Sequence, residues 1–96
     1  MAKLKIVWHT TAYNRYSSII AWYVMNCGNS FAKTFIEDVD KKLELLSFMP
    51  TLGKTKRVVG KKNYAEFVSH PKTKIRYWYD ENEIHIIDFK PTKTIK

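Results

Sequence analysis

The sequence holds a single cysteine, Cys27, in 96 residues. That excludes an intramolecular disulfide and any cysteine-cluster zinc site, and it fits a reducing, cytoplasmic setting. With only three glycines and three prolines, neither Gly-x-Gly-x-x-Gly nor Gly-x-x-x-x-Gly-Lys occurs, so no phosphate-cradling loop is expected. No run approaches the ~18 apolar residues of a spanning helix, so no membrane segment is expected. The opening Met1-Ala2-Lys3-Leu4-Lys5-Ile6 is too short in its apolar part for a signal peptide. The three histidines and the cysteine show no ligand spacing, and Glu37, Asp38 and Asp40 fall on the wet side of a helical pattern. Neither metal nor cofactor is expected.

Acidic residues are also scarce, nine against 17 basic ones, for a net charge of +8. Such a balance favours anionic partners: nucleic acid, an acidic protein or an anionic surface. The excess is uneven. Residues 1–48 carry a net +2 and residues 49–96 a net +6. Lys54, Lys56, Arg57, Lys61 and Lys62 fall within nine positions that include no acid. Aromatics are abundant, with six Tyr, five Phe and three Trp. They give a small core, or a partner surface, much area per residue.

A chain of this length makes one domain, residues 1–96. Lys3 to His9 alternates as a strand, with Leu4, Ile6 and Trp8 on one face and Lys5, Val7 and His9 on the other. A helix from Ala12 to Asn26, capped by Thr10 or Thr11, carries Ala12, Tyr16, Ile19 or Ile20, Tyr23 and Cys27 on one stripe. Gly28 ends it, and Asn29 or Ser30 caps a second helix from Phe31 to Phe48. Its stripe is Ala32, Phe35 or Ile36, Val39, Leu43 and Leu46. Met49 to Gly53 forms a tight turn. The period then becomes two, with strands at Lys56–Val59, Tyr64–Ser69, Lys74–Tyr79 and Glu83–Phe89. The turn at Asp80-Glu81-Asn82 makes a hairpin, and residues 90–96 form a loose tail. The expected fold is α+β: an N-terminal strand, an antiparallel helical hairpin, then a three- or four-stranded antiparallel sheet. The helices cover one sheet face and leave the other open beside the basic segment.

This order resembles the toxins of the bacterial RelE/ParE superfamily. The resemblance rests on Leu45-Leu46-Ser47-Phe48-Met49-Pro50-Thr51-Leu52-Gly53, like the family's Leu…Pro-x-x-Gly. It continues through Gly60 and Tyr64-Ala65-Glu66-Phe67, like its Tyr-Arg-x-Phe segment. Lys74-Ile75-Arg76-Tyr77 and the strand through Ile84-His85-Ile86-Ile87 complete it. The resemblance implies a cytoplasmic toxin silenced by a cognate acidic antitoxin. Some members enter the ribosome's decoding site and cut the messenger RNA. Others inhibit DNA gyrase and have no nuclease activity. Against the RNA-cutting pattern, Ala65 replaces an arginine, Lys74 takes the place of another and Phe67 falls near a lysine position. Lys93 stands near a C-terminal arginine, and no terminal tyrosine appears. A gyrase inhibitor or an inactive binding protein on the same scaffold is the alternative.

Cleavage by a 2′-hydroxyl needs a base, cations at the phosphate and a proton source, with no metal. Lys74, Arg76 and Trp78 share one strand face, opposite Ile75, Tyr77 and Tyr79, and the more apolar set suits the core. Lys74 and Arg76 are therefore the candidate cations, with His85 as the candidate proton-transfer group. Lys56, Arg57, Lys61, Lys62 and Trp78 are the candidate nucleic-acid contacts. His70 is a further imidazole in a turn, whereas His9 reads as making a structural bond at a strand end. Cys27 reads as buried or incidental. Trp22 and Met25, off the main helical stripe, are candidate antitoxin contacts.

Overall fold

The computed structural model describes residues 3–70 and 73–91. The elements in chain order are β1 (Lys5–Trp8), α1 (Thr10–Cys27), α2 (Asn29–Phe48), a 3₁₀ turn (Pro50–Leu52), β2 (Lys54–Val59), β3 (Lys62–His70), β4 (Thr73–Tyr79) and β5 (Glu83–Pro91). The strands form one sheet in the order β1-β5-β4-β3-β2. The last four strands are antiparallel neighbours, as their hairpins demand. β1 extends this sheet to five strands by pairing parallel with β5, Val7 opposite His85 and Trp8 opposite Ile86. The chain between β1 and β5 is long enough for a parallel crossover. The pairing also covers an edge that β5 would otherwise expose.

Both helices lie on one face of this sheet. Ala32, Phe35, Val39, Leu43 and Leu46 of α2 are buried, as their spacing predicts. They meet Ile75, Tyr77, Ile84, Ile86 and Phe89 from β4 and β5. From α1, Ala12 and Tyr23 are buried, while Tyr16, Ile19 and Ile20 pack partly against the same core. Cys27, read as buried or incidental, is exposed at the end of α1, which leaves the second of those readings. The capping expectations also differ. His9 precedes α1 and Gly28 precedes α2, and neither supplies a side-chain cap bond. One residue, Gly28, joins the two helices at φ 93°, a conformation that favours glycine.

The segment Pro50 to Gly53 is fixed from β4. The Tyr77 hydroxyl donates to the Pro50 carbonyl at 2.7 Å and accepts from the Gly53 N–H at 3.1 Å. A Cβ at position 53 would collide with that hydroxyl and lie 2.8 Å from the Glu66 carbonyl oxygen. Glycine is needed here for space, because its φ of −74° suits any residue.

β5 does not alternate as a straight strand would. The register shifts from Arg76 opposite Asp88 to Tyr77 opposite Ile86, leaving Ile87 as the extra residue of a bulge. Phe89 therefore turns inward and is buried with Ile84 and Ile86, whereas straight alternation groups it with His85 and Ile87. β5 also continues through Lys90 and Pro91, which pair with Lys74 and Thr73, so part of the expected loose tail is strand. The rest of that tail, with Lys93, lies outside the described residues, as do Pro71 and Lys72 and the side chain of His70.

Candidate functional site

The sheet face away from the helices carries every candidate site residue of β4. Ile75 and Tyr77 are buried under the helices, and Lys74, Arg76 and Trp78 are half-buried on the other side. Cross-strand pairing puts residues directly opposite one another on a common face. Val68 therefore stands beside Lys74, Glu66 beside Arg76 and Tyr64 beside Trp78. On the other flank of β4, His85 stands beside Trp78. Ala65 is buried and Phe67 packs against the core, so both face the helices. No substitution at these two positions would point a cation at the open face.

The open-face carboxylate of β3, Glu66, gathers the cations. Arg76 Nε lies 3.2 Å from one of its oxygens, and Lys74 Nζ and Lys56 Nζ lie 3.4 and 3.6 Å from the other. Burial pushes the Glu66 carboxyl up, but Lys74, Lys56 and Arg76 outweigh it and hold the group below its usual range. Lys56 thus has an acidic partner on the next strand, although none is near it in sequence. The alternation of Tyr64, Glu66 and Val68 against Ala65 and Phe67 is the signal that places Glu66 on this face.

Next to this cluster lies a row of rings, Tyr64, Trp78 and His85. The Trp78 and His85 rings stack at a centroid distance of 3.8 Å and an interplanar angle of 11°. The Lys62 ammonium stands 4.7 Å from the Trp78 centroid, and the Arg57 guanidinium 5.0 Å from that of Tyr64. β5 and β3 flank β4 on opposite sides, so His85 and Lys62 approach the indole from opposite directions. A base stacking on Trp78 has to displace the Lys62 ammonium. Lys61 is exposed in the turn between β2 and β3. The sequence-chosen contacts Lys56, Arg57, Lys62 and Trp78 are therefore brought together with Lys74, Arg76 and His85 on one surface, with Lys61 at its rim.

His85 is held on three sides. Its Nε2 lies 2.8 Å from Glu83 Oε1, its Nδ1 lies 2.8 Å from His9 Nε2, and its ring rests on Trp78. His9, at the end of β1, does make the bond expected of it, and its partner is the candidate proton-transfer group. Sequence reasoning missed this link because β1 and β5 are 76 positions apart at His9 and His85. Beyond the bulge, Asp88 turns to Arg15 of α1 at 3.5 Å. Among the described residues no cluster of three or more His, Cys, Asp or Glu side chains is placed to hold a metal ion. No helix among them is long and apolar enough to cross a membrane.

No protein-family model and no curated protein matches the chain. Solved structures do. A chain from the chromosomal ParDE TA system of P. aeruginosa superposes with a TM-score of 0.72 at 15% identity, covering 95% of this chain and 98% of that one. The YoeB dimer from Staphylococcus aureus gives 0.61 at 19% identity, covering 93% and 97%. The strand, helical pair and antiparallel sheet correspond over nearly the full length of each, and the chain has the α+β fold of RelE/ParE-type toxins.

Proposed function

We propose that this protein is the toxin of a type II toxin–antitoxin pair and acts in the cytoplasm as a metal-independent endoribonuclease on ribosome-bound messenger RNA. The observation that carries this reading is the placement of Lys74, Arg76 and the His85 imidazole on one uncovered sheet face, beside the basic turn between β2 and β3. Two cations flanking the scissile phosphate stabilise its transition state more than its ground state, because negative charge builds there as the 2′-oxygen adds. The imidazole system handles the proton. Glu66 holds both cations in place before RNA arrives, and the incoming phosphate competes with it for them.

The partner in the silent state is an acidic antitoxin. Trp22 and Met25 are exposed at 44% and 85%, and Phe31 lies exposed near the same end of the helical pair. An acidic segment with apolar anchors would cover these groups and neutralise the basic face.

A second reading has its own support. The ParDE-system chain superposes with the higher of the two TM-scores, and the Glu66 carboxylate already pairs Lys74 and Arg76. Both suit a ParE-like inhibitor of DNA gyrase that needs no catalytic face. Induction in cells, with messenger cleavage mapped beside a plasmid supercoiling assay, separates the two. Cleaved messengers with normal supercoiling are expected. Intact messengers with inhibited gyrase overturn the nuclease reading, and neither effect leaves an inactive binding protein.

A further inference from the structure

His85 cannot itself meet a substrate through a free nitrogen, because both are engaged: Nε2 with Glu83 and Nδ1 with His9. We infer that His9 is the catalytic base of the proposed ribonuclease site, with His85 and Glu83 as its positioning residues in a Glu83–His85–His9 relay. This rests on the ribonuclease reading and names the group that acts within it.

The hydrogen-bond chemistry fixes the tautomers. An ionised carboxylate only accepts, so His85 Nε2 carries the proton that points at Glu83. Neutral His85 then has its lone pair on Nδ1 and accepts from His9 Nε2–H. Neutral His9 is left with a lone pair on Nδ1. That nitrogen makes no hydrogen bond among the described residues, and His9 is exposed. The relay thus starts at a half-buried carboxylate and ends at an unengaged imidazole nitrogen on the surface. Stacking on Trp78 holds the middle ring in its plane. The other charged groups around it are Lys5 opposite Glu83, Asp80 in the β4–β5 turn, Lys62 over Trp78, Arg76, and the Arg15–Asp88 pair beyond Ile87.

The position suits the reaction. Trp8 pairs with Ile86, so His9 continues β1 alongside the bulged Ile87, next to the row that holds Arg76. Two strand spacings, about 9.5 Å between backbones, separate β1 from β4. A nucleotide across β5 can present its 2′-hydroxyl to His9 and its phosphate to Arg76 and Lys74. In the step, His9 Nδ1 takes the 2′-hydroxyl proton, the O2′–P bond forms and the P–O5′ bond breaks. The departing O5′ takes a proton from water, leaving a 2′,3′-cyclic phosphate and a 5′-hydroxyl. The imidazolium is stabilised because its Nε2–H bond to His85 becomes charge-assisted and is backed by Glu83. It then returns its proton to solvent.

The test measures single-turnover cleavage of messenger on ribosomes against pH for the full chain, His9→Ala and Glu83→Gln, with and without added imidazole. His9→Ala should lose about 100-fold or more, lose the limb of the profile that reports the base, and recover part of the rate with imidazole. Glu83→Gln keeps an acceptor for His85 but removes the charge, so its loss should be smaller. Nitrogen NMR of the full chain should show His9 unprotonated at Nδ1 and His85 protonated at Nε2 in their neutral forms. No cleavage by the unaltered protein overturns the ribonuclease reading and the catalytic role with it. Cleavage by His9→Ala at the unaltered rate, or a loss that leaves the profile unchanged and resists imidazole, overturns the relay and leaves the ribonuclease standing.

Discussion

Two tyrosines with buried hydroxyls illustrate how differently one side chain type behaves. The Tyr77 hydroxyl satisfies two backbone groups of the Pro50–Gly53 turn. The Tyr16 ring packs against Trp8, Phe35 and Phe89, and its buried hydroxyl has no hydrogen-bond partner among the described residues. Tyr77→Phe should therefore cost about 1–3 kcal/mol by orphaning a buried N–H and carbonyl, whereas Tyr16→Phe should gain about 1 kcal/mol. Urea unfolding of both variants checks the opposite signs. Burial pushes both phenols up to about 12, against about 10 in an unfolded chain. Their raised values mean that their contribution is complete below the unfolded value and is lost as pH rises through the folded one. Unfolding followed by tyrosinate absorbance should show stability falling across that alkaline window, less steeply in Tyr16→Phe. Glu66 has the opposite sign. Its lowered carboxyl stabilises the fold above the ordinary carboxylate range, and that contribution disappears as pH falls through the folded value. At neutral pH, Glu66→Gln frees Lys56, Lys74 and Arg76, so RNA binding should tighten and its salt dependence steepen. An unchanged salt slope would show that these cations do not meet phosphate.

At the scale of elements, the β2–β3 hairpin is the clearest unit. β2 is exposed along its whole length and forms the sheet edge opposite β1. Its lysines, together with the irregularity between Thr55 and Arg57, discourage pairing with another chain. On the proposed function the same charges meet RNA phosphates. Replacing Lys56, Arg57, Lys61 and Lys62 by Ala should weaken RNA affinity and flatten log K against log salt by about 0.7 per lost phosphate contact. Fluorescence anisotropy across a salt series measures it, and an unaltered slope assigns the charge to solubility. The strand pattern of β4 was legible because Lys74-Ile75-Arg76-Tyr77-Trp78-Tyr79 alternates without interruption. β5 was legible only as far as Ile86. Its bulge depends on how β4 packs beside it, and no local residue marks it.

For the molecule as a whole, the helical pair covers one face of the sheet but leaves apolar groups of its own uncovered. Helices of 18 and 20 residues span roughly 27–30 Å, and the far end of α1 leaves Trp22, Val24 and Met25 exposed. An antitoxin that docks there would lose much of its affinity to Trp22→Ala, about 2 kcal/mol for a central anchor. Met25→Ser should leave the free protein's stability within about 0.5 kcal/mol. Calorimetric titration with the proposed acidic antitoxin measures the first, and full affinity in both variants would move the interface elsewhere.

What the sequence determined by itself was local. The spacing of Ala32, Phe35, Val39, Leu43 and Leu46 dictated a helix and its buried face, and period-two alternation dictated which side of β4 carries Lys74, Arg76 and Trp78. These follow from the repeat of a single element, which every residue in it reports. The tertiary structure alone decided the pairings between elements: β1 beside β5, Glu66 among three cations, and His9 against His85. Such contacts depend on strand order and register, which are set by how two layers close over a shared core. The residues that meet there carry no mark of each other along the chain.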